Sequence, residues 1–139
     1  MMNPAPFESA KQIRFHHCDP AGIVFYPQYF VLFNELVEDW FNEGLGVDFA
    51  RFHGEGRHGI PMAHVECDFL APSKVGEMLR FCLSVRKIGG SSLTLAVEAK
   101  AGHEIRVRAT LVVVQASLDT RRAVPFSTEF RAKLARFAL

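Results

Sequence analysis

One carboxylate in this chain is set apart by its surroundings. Asp19 lies in the run Cys18-Asp19-Pro20-Ala21-Gly22-Ile23-Val24-Phe25-Tyr26-Pro27-Gln28-Tyr29-Phe30. Pro20 and Gly22 are turn residues. From Pro27 the pattern becomes helical, and proline suits the first turn of a helix. A helix N-terminus presents unpaired N–H groups and the positive end of its dipole. A carboxylate facing such donors can attack a carbonyl, or activate water toward it, while the donors hold its oxygen. That is equipment for acyl transfer from a thioester or ester. The same Asp also suits a purely structural Asx turn over Pro20-Ala21.

The elements that must position this turn follow from periodicity. Ile13 and Phe15 alternate with Gln12, Arg14 and His16, which predicts a strand over 12–18. A helix is predicted over 27–43, stopped by Gly44. Tyr29, Phe33, Leu36 and Trp40 recur at helical spacing, and Phe30, Val37 and Phe41 widen the apolar face. A face that wide suits a deeply buried helix. Asn34, Glu35, Glu38, Asp39 and Asn42 form its polar side. A Gly-containing connector over 44–59 follows, with Phe49 and Phe52 marking a packed part. Four antiparallel strands joined by hairpin connections come next, over 61–70, 77–88, 91–101 and 104–118, with Ala71-Pro72-Ser73, Gly89-Gly90 and Gly102-His103 between them. Leu111-Val112-Val113-Val114 is apolar on both faces and predicts a central buried strand. A modest helix is expected over 127–137. The whole predicts an α+β domain over 1–139, with one long central helix wrapped by a five-stranded antiparallel sheet. Such a subunit leaves sheet edge and apolar surface open, so a dimer is expected.

Composition narrows the function. The chain has 139 residues, 49% of them hydrophobic, which suits one domain with a real core. No apolar run reaches the roughly 18 residues of a membrane span. Met1 to Ser9 lacks the basic start and apolar core of a secretory signal. The 3 cysteines (18, 67 and 82) are too few and scattered for a disulfide framework or zinc site. A cytoplasmic protein is therefore expected. Residues 1–79 hold 5 Lys/Arg against 11 Asp/Glu, and residues 80–139 hold 11 against 4. The basic half reads either as solvated strand faces or as a surface for an anionic ligand such as nucleotide phosphates. Nucleic acid is disfavoured, because aromatics do not alternate with the dispersed basic residues.

Other groupings carry less. His16, His17 and Asp19 resemble a metal cluster in sequence, but neighbours on a strand face opposite ways. At most His17 and Asp19 share a face, and two ligands do not make a site, so no metal is expected. His17 can instead tune Asp19 or simply pack. Glu35 and Glu38 read as a solvated helix stripe, His64 and Cys67 as structural, and Arg121-Arg122 as a turn. No Gly-x-Ser-x-Gly elbow or phosphate-binding Gly-rich loop is present.

The run from Asp19 to Tyr29 resembles the active-site signature of the 4-hydroxybenzoyl-CoA thioesterase family of hotdog-fold proteins. The helix with Trp40-Phe41, the Pro61 strand, the Phe69-Leu70-Ala71-Pro72 break and the later strands extend the likeness over about 12–137. The resemblance implies a hotdog fold and a homodimer with one joined sheet, often paired into a homotetramer. It implies hydrolysis of an acyl-CoA, with no metal and no cofactor, coenzyme A being part of the substrate. It implies Asp19 as the essential carboxylate and Tyr26 as the residue whose backbone N–H polarises the carbonyl. Gly22 falls where the family's chain turns close to the substrate. The site is expected at the dimer interface. The 4-hydroxybenzoyl-specific members gather CoA phosphates with a basic hairpin; here that turn reads Gly89-Gly90-Ser91-Ser92, with Arg86 and Lys87 a few residues earlier. Ser91, Arg86 and Lys87 are the matching CoA-binding candidates, through Gly and Ser amides as well as charge. In the helix, Asn34 stands where those members have a carboxylate.

The functional expectation is thus an acyl-CoA thioesterase driven by Asp19, as nucleophile or as general base. Three alternatives remain: a binding module without turnover, a hotdog dehydratase of hydroxyacyl thioesters, and a thioesterase acting on acyl carrier protein. A pure binder has no need of a carboxylate beside a helix end.

Overall fold

The computed structural model describes residues 5–139, so the beginning of the segment tested for a secretory signal lies outside it. Strand β1 (Phe7–Gln12) is followed by a tight helical turn over Phe15–His17. The strand expected over 12–18 is thus displaced toward the N-terminus. The alternation behind that expectation fails at Phe15, which is 86% exposed while Ile13 is fully buried. The chain bends because the His17 ring accepts the Arg14 N–H at 2.9 Å, and the Arg14 carbonyl accepts the His17 N–H at 2.9 Å. Local bonds of this kind compete with a strand ladder.

Helix α1 (Pro27–Asp39) runs on into a wider π turn over Trp40–Leu45. It stops at Gly46, whose φ of +69° is the left-handed conformation that ends helices, and not at Gly44. Gly44 is needed for another reason. A Cβ there would lie 2.7 Å from Trp40 Cδ1. The predicted apolar face is the buried one: Tyr29, Phe33, Leu36, Val37, Trp40 and Phe41 are all inside, and Leu32 joins them. The connector contains a short helix, α2 (Phe49–His53), capped by the Asp48 side chain accepting the Arg51 N–H at 3.0 Å. Phe49 and Phe52 set their rings against Phe41 at 5.2 and 5.3 Å.

The strands are β2 (His58–Gly59), β3 (Met62–Phe69), β4 (Met78–Ile88), β5 (Ser92–Ala101), β6 (Glu104–Val114) and β7 (Ala116–Ser117), with β2 and β7 forming a separate small pair. Helix α3 (Thr128–Ala135) is capped by the Ser127 side chain. The main sheet has five antiparallel strands in the order β1-β4-β5-β6-β3. The wrapped-helix α+β architecture is therefore present, with one correction to its wiring. The break at Ala71-Pro72-Ser73 is not a hairpin. It opens a crossover from β3, at one edge of the sheet, to β4, paired with β1 near the other. Within the main sheet, only β4–β5 and β5–β6 are joined as hairpins among the described residues.

One face of the sheet packs on α1. Leu79, Phe81, Leu83 and Val85 of β4, Leu93, Leu95, Val97 and Ala99 of β5, and Val107, Ala109, Leu111 and Val113 of β6 are each at most 3% exposed. Burying each large side chain of this kind contributes ~1.5–3 kcal/mol. Val112 and Val114 are only half-buried, so the end of β6 is covered on one face and not on both as expected. The ladder also stops at Val114, short of 118. The buried Gln115 side chain turns to the carbonyls of Val124 and Pro125. Along β3 every residue except Cys67 is exposed, and its outer edge has no strand partner among the described residues.

Candidate active site

The Asp19 turn folds into a small hairpin of its own. Cys18 bridges Val24, the Ile23 carbonyl accepts the Asp19 N–H at 3.0 Å, and the His17 carbonyl accepts the Phe25 N–H at 3.0 Å. Gly22 sits at the bend with φ +79°, a left-handed conformation that costs a residue with a Cβ roughly 1–2 kcal/mol. Asp19 Oδ1 accepts the Ala21 N–H at 2.9 Å, so the Asx turn is real. The other carboxylate oxygen, Oδ2, has no hydrogen-bond partner among the described residues. The hairpin leads directly into α1. Tyr26 is the N-cap, and the following Pro27 has no N–H to offer. The Phe25 carbonyl accepts from Gln28 and the Tyr26 carbonyl accepts from Tyr29. The Tyr26 N–H itself has no acceptor among the described residues. A half-used carboxylate and a free backbone donor thus sit on one loop. Tyr26 also holds an αR conformation ahead of a proline, which that position disfavours.

The β3–β4 crossover carries this loop. The Ser73 carbonyl accepts the Val24 N–H at 2.9 Å, the Gly22 carbonyl accepts the Val75 N–H at 3.2 Å, and Ile23 bridges Lys74. The crossover is in turn clamped by Arg106 of β6. The guanidinium donates to both oxygens of Glu77 at 3.0 and 2.9 Å, to the Pro72 carbonyl at 2.9 Å and to Ser73 Oγ at 3.1 Å. Tyr29, in the first turn of α1, lies 2.9 Å from Ser73 Oγ. In sequence, Tyr29 reads only as part of the helix face and signature run and Ser73 only as part of a break, while Glu77 and Arg106 carry no site reading. No local signal marks them, since they meet only when the crossover lies over the start of the helix.

Arg106, with the Lys74 N–H, holds the Glu77 carboxyl down at about 2. The folded state therefore favours the carboxylate. That stabilisation is complete above the unfolded value of 4.5 and is lost as pH falls toward about 2. Glu77→Gln should lose on the order of 1–2 kcal/mol at neutral pH, given its partial exposure. Urea midpoints across pH 4.5 to 2 should fall steeply for the wild type and more shallowly for the variant; parallel curves would dismiss the clamp.

The remaining sequence candidates lie elsewhere. His17 is buried, and burial followed by the adjacent His16 lowers its pKa, so it is neutral at pH 7. Its Nδ1 accepts the Arg14 N–H, which leaves the proton on Nε2. Its ring lines a cavity with Lys11, Leu32 and Glu35, separate from the one beside Tyr26. The structure brings it to Glu35 and Lys11, not to the Asp19 carboxylate. Ser91, Arg86 and Lys87 cluster at the far end of β4, Arg86 and Lys87 at a bulge. At ~3.3 Å per residue, an 11-residue strand separates them from the Asp19 end by about 30 Å. Ser91 gives its carbonyl to the Gln115 N–H at 2.8 Å. Within one chain these three do not join Asp19, because the antiparallel hairpin puts the β4–β5 turn at the opposite end of the sheet. Burial pushes the Cys67 thiol up to about 11, and it raises Cys18 and Cys82 as well, so no thiolate nucleophile is available at neutral pH. Glu35 and Glu38 are exposed on α1.

Two cavities matter. One of about 270 Å³ is rimmed by Ile23, Val24 and Tyr26 and reaches Tyr29, Phe69 and Ser73. A larger groove of about 780 Å³ lies along the outward side of α1, between Asn34, Glu35 and Glu38, the start of β3 at Pro61 and Met62, and Leu118. Beside the first, Phe25, Tyr26, Phe69, Leu70 and Val75 are all large, apolar and exposed.

A free amide at a helix start, a carboxylate turn before it and a five-stranded sheet around the helix define a hotdog protein of the thioesterase kind. The chain matches the thioesterase-like superfamily over residues 13–134 and belongs to it. It is 25% identical, over 93% of its length and 96% of the relative's, to a 1,4-dihydroxy-2-naphthoyl-CoA hydrolase of Acaryochloris marina. A relative of the same name from Nostoc punctiforme is also 25% identical, over 86% of this chain and 81% of that one. Among solved structures, the 1,4-dihydroxy-2-naphthoyl-CoA thioesterase from Synechocystis superposes with a TM-score of 0.84 at 20% identity, covering 94% and 96% of the two chains. A gentisyl-coenzyme A thioesterase superposes with a TM-score of 0.84 at 22% identity, covering 92% and 99%.

Proposed function

We propose that this chain hydrolyses aryl- or acyl-CoA thioesters with Asp19 as the catalytic carboxylate and the Tyr26 N–H as the donor to the thioester oxygen. The observation that carries the reading is the free Tyr26 amide at the start of α1, on the same loop as a carboxylate with one oxygen unengaged. As nucleophile, Asp19 adds to the thioester carbon and expels the CoA thiolate. Water then cleaves the resulting mixed anhydride. As general base, Asp19 takes a proton from water, which adds to the same carbon, and the thiolate again leaves. Both routes develop charge on the carbonyl oxygen, where one preorganised donor is worth ~3 kcal/mol. Coenzyme A enters as part of the substrate, and the chemistry calls for no separate cofactor. The relatives' names favour a hydroxylated aromatic acyl group.

The site is completed by a second copy. The open edge of β3 and the exposed apolar cluster beside it favour edge-to-edge pairing in a homodimer. Antiparallel pairing of β3 with its symmetry mate sets Phe69 of one copy near Met62 of the other. Phe69 touches Tyr26, with ring centroids 5.8 Å apart, and Met62 lines the large groove. Each Tyr26 amide therefore faces the partner's groove, and any contribution of Ser91, Arg86 or Lys87 to CoA phosphates is made across subunits. Val65→Lys, in the middle of that edge, should turn a dimer into a monomer in sedimentation velocity and cut turnover by tenfold or more. An unchanged dimer would exclude this edge as the interface.

Thiol release from a panel of aroyl, short-chain and long-chain CoA esters tests the activity. Selective release of one class supports the reading. No release, with ester binding intact, points to a binding module or to acyl carrier protein as the thiol.

A further inference from the structure

His17 is the joint between β1 and the loop that carries Asp19 and Tyr26. It is 3% exposed. Its Nδ1 accepts the Arg14 N–H at 2.9 Å, and the Arg14 carbonyl accepts the His17 N–H at 2.9 Å, so one residue closes the tight turn through its ring and its backbone. On the far side the His17 carbonyl accepts the Phe25 N–H at 3.0 Å, and the neighbouring Cys18 bridges Val24. Asp19 comes just after Cys18, and Tyr26 just after Phe25. The orientation of the ring and the placing of both candidate catalytic groups are thus linked. Only a neutral ring makes the link. A protonated imidazole carries N–H on both nitrogens and has no lone pair for the Arg14 N–H. The surroundings oppose the charge as well. The ring lines a cavity of about 270 Å³ whose walls hold Lys11 of β1, Arg14 and His16 of the turn, and Glu35 of α1. Lys11 is tied to Asp39 at 2.7 Å and lies 3.9 Å from Glu35, so the carboxylate of this cavity is already shared with a lysine. Burial and then His16 lower the His17 pKa, with Arg14 and Lys11 adding to them and Glu35 opposing.

We infer that His17 is a positioning residue whose neutral ring holds the Asp19–Tyr26 loop in place, and whose protonation releases that loop and turns the site off in acid. The inference rests on the thioesterase reading for what is turned off, and on the hydrogen bonds of the turn for the device itself. The folded turn needs the neutral ring, whereas the unfolded chain takes up a proton freely. The contribution of the turn to stability is therefore complete above the unfolded value of 6.5 and is lost as pH falls through the lower folded value. A charged ring has one acidic group on the wall of its cavity, Glu35, and turning toward it gives up the Arg14 N–H. Asp19 is not the partner, since its Oδ1 accepts the Ala21 N–H within the hairpin beyond. The Arg106–Glu77 clamp is a separate device and acts in more acid solution, from 4.5 toward about 2.

The experiment compares wild type, His17→Asn and His17→Leu. The Asn side-chain oxygen lies as many bonds from Cβ as the His Nδ1, so it can accept the Arg14 N–H, and it does not titrate. Leu fills the space and accepts nothing. At pH 7.5, on whichever CoA ester the wild type hydrolyses, His17→Asn should rescue kcat to within about threefold, whereas His17→Leu should lose about tenfold or more in kcat with KM little changed. Between about pH 7.5 and 4.5 the ratio of wild-type to His17→Asn kcat should fall about threefold or more. An acid limb belonging to Asp19 itself divides out of this ratio. A second readout needs no turnover. In ¹⁵N-labelled wild type the His17 ring should titrate below 6.5, with the neutral form protonated on Nε2, and the Phe25 amide resonance should move with the same midpoint. In His17→Asn the Phe25 resonance should stay still over that range. A flat ratio, equal losses in the Asn and Leu variants, or a Phe25 amide indifferent to the titration of the ring would overturn the inference. If His17→Leu does not fold, the Asn ratio and the amide titration decide. If no ester releases thiol, the thioesterase reading fails separately, and the amide titration alone decides whether His17 holds the loop.

Discussion

Asp19→Asn should lower kcat by on the order of 10²–10⁴ on whichever CoA ester the wild type hydrolyses, with KM changed little. The substitution separates the two jobs that Asp19 holds. An Asn side-chain oxygen can still accept the Ala21 N–H, the bond that closes the Asx turn at 2.9 Å. The hairpin from His17 to Phe25, the left-handed Gly22 and the crossover bonds should therefore persist, and the melting temperature should move by only a few degrees. What Asn lacks is the charge and basicity of the second oxygen. Loss of turnover with an intact fold would assign the chemistry to the carboxylate. Wild-type turnover in a folded Asp19→Asn protein would reduce the residue to its turn. Label in the enzyme carboxylate after a single turnover in ¹⁸O-water would establish the nucleophile route with water cleaving the anhydride at the Asp19 carbonyl; label in the product alone is the outcome of general-base catalysis and equally of attack at the acyl carbonyl.

Tyr26→Pro should cost on the order of 10²–10³ in kcat, the price of one donor to a developing oxyanion. Most backbone donors cannot be removed by mutation, but this one can. Tyr26 has φ −51°, close to the angle a proline ring imposes, and its N–H is not used within the fold. Proline therefore removes the donor without breaking a bond that holds the helix. The control is Tyr26→Ala, which strips away the ring packed on Phe69 and keeps the N–H. It should affect KM more than kcat. A second proline also presses Phe25 toward extended backbone, so helix content by circular dichroism must accompany the kinetics. Equal losses in the Pro and Ala variants would mean that the ring, and not the amide, matters.

Much of this architecture is local in origin and so was legible. The 3.6-residue rhythm of Tyr29, Phe33, Leu36 and Trp40 requires only that one face of a helix be buried, and all four are. The alternation in β4 and β5 is a property of consecutive residues, and each alternate side chain points inward as expected. The same reasoning failed where a local rhythm met a local hydrogen bond. At Phe15 the alternation continues, but the Arg14–His17 turn takes the chain out of the sheet. At Gly44 a helix stop was expected, yet the residue is glycine because Trp40 leaves no room for a Cβ.

The sequence by itself determined the Asp19 turn and the helix that follows it, because both are set by consecutive residues; Tyr26 came from the family resemblance, and the structure then showed its amide unpaired among the described residues. Only the tertiary structure decided what stands behind them. Pro72 and Ser73 read as a break between neighbouring strands; in the fold they cross from β3 to β4 over the end of the sheet. That crossing brings Ser73 to Tyr29, 44 positions away, and to Arg106, 33 positions away. It also leaves the Ser91, Arg86 and Lys87 end of the sheet remote from Asp19. Strand order is a choice among hydrogen-bonded pairings of similar local cost, and what selects it is the burial of α1 against the whole sheet. No short stretch of sequence carries that information, so the site's support became visible only in three dimensions.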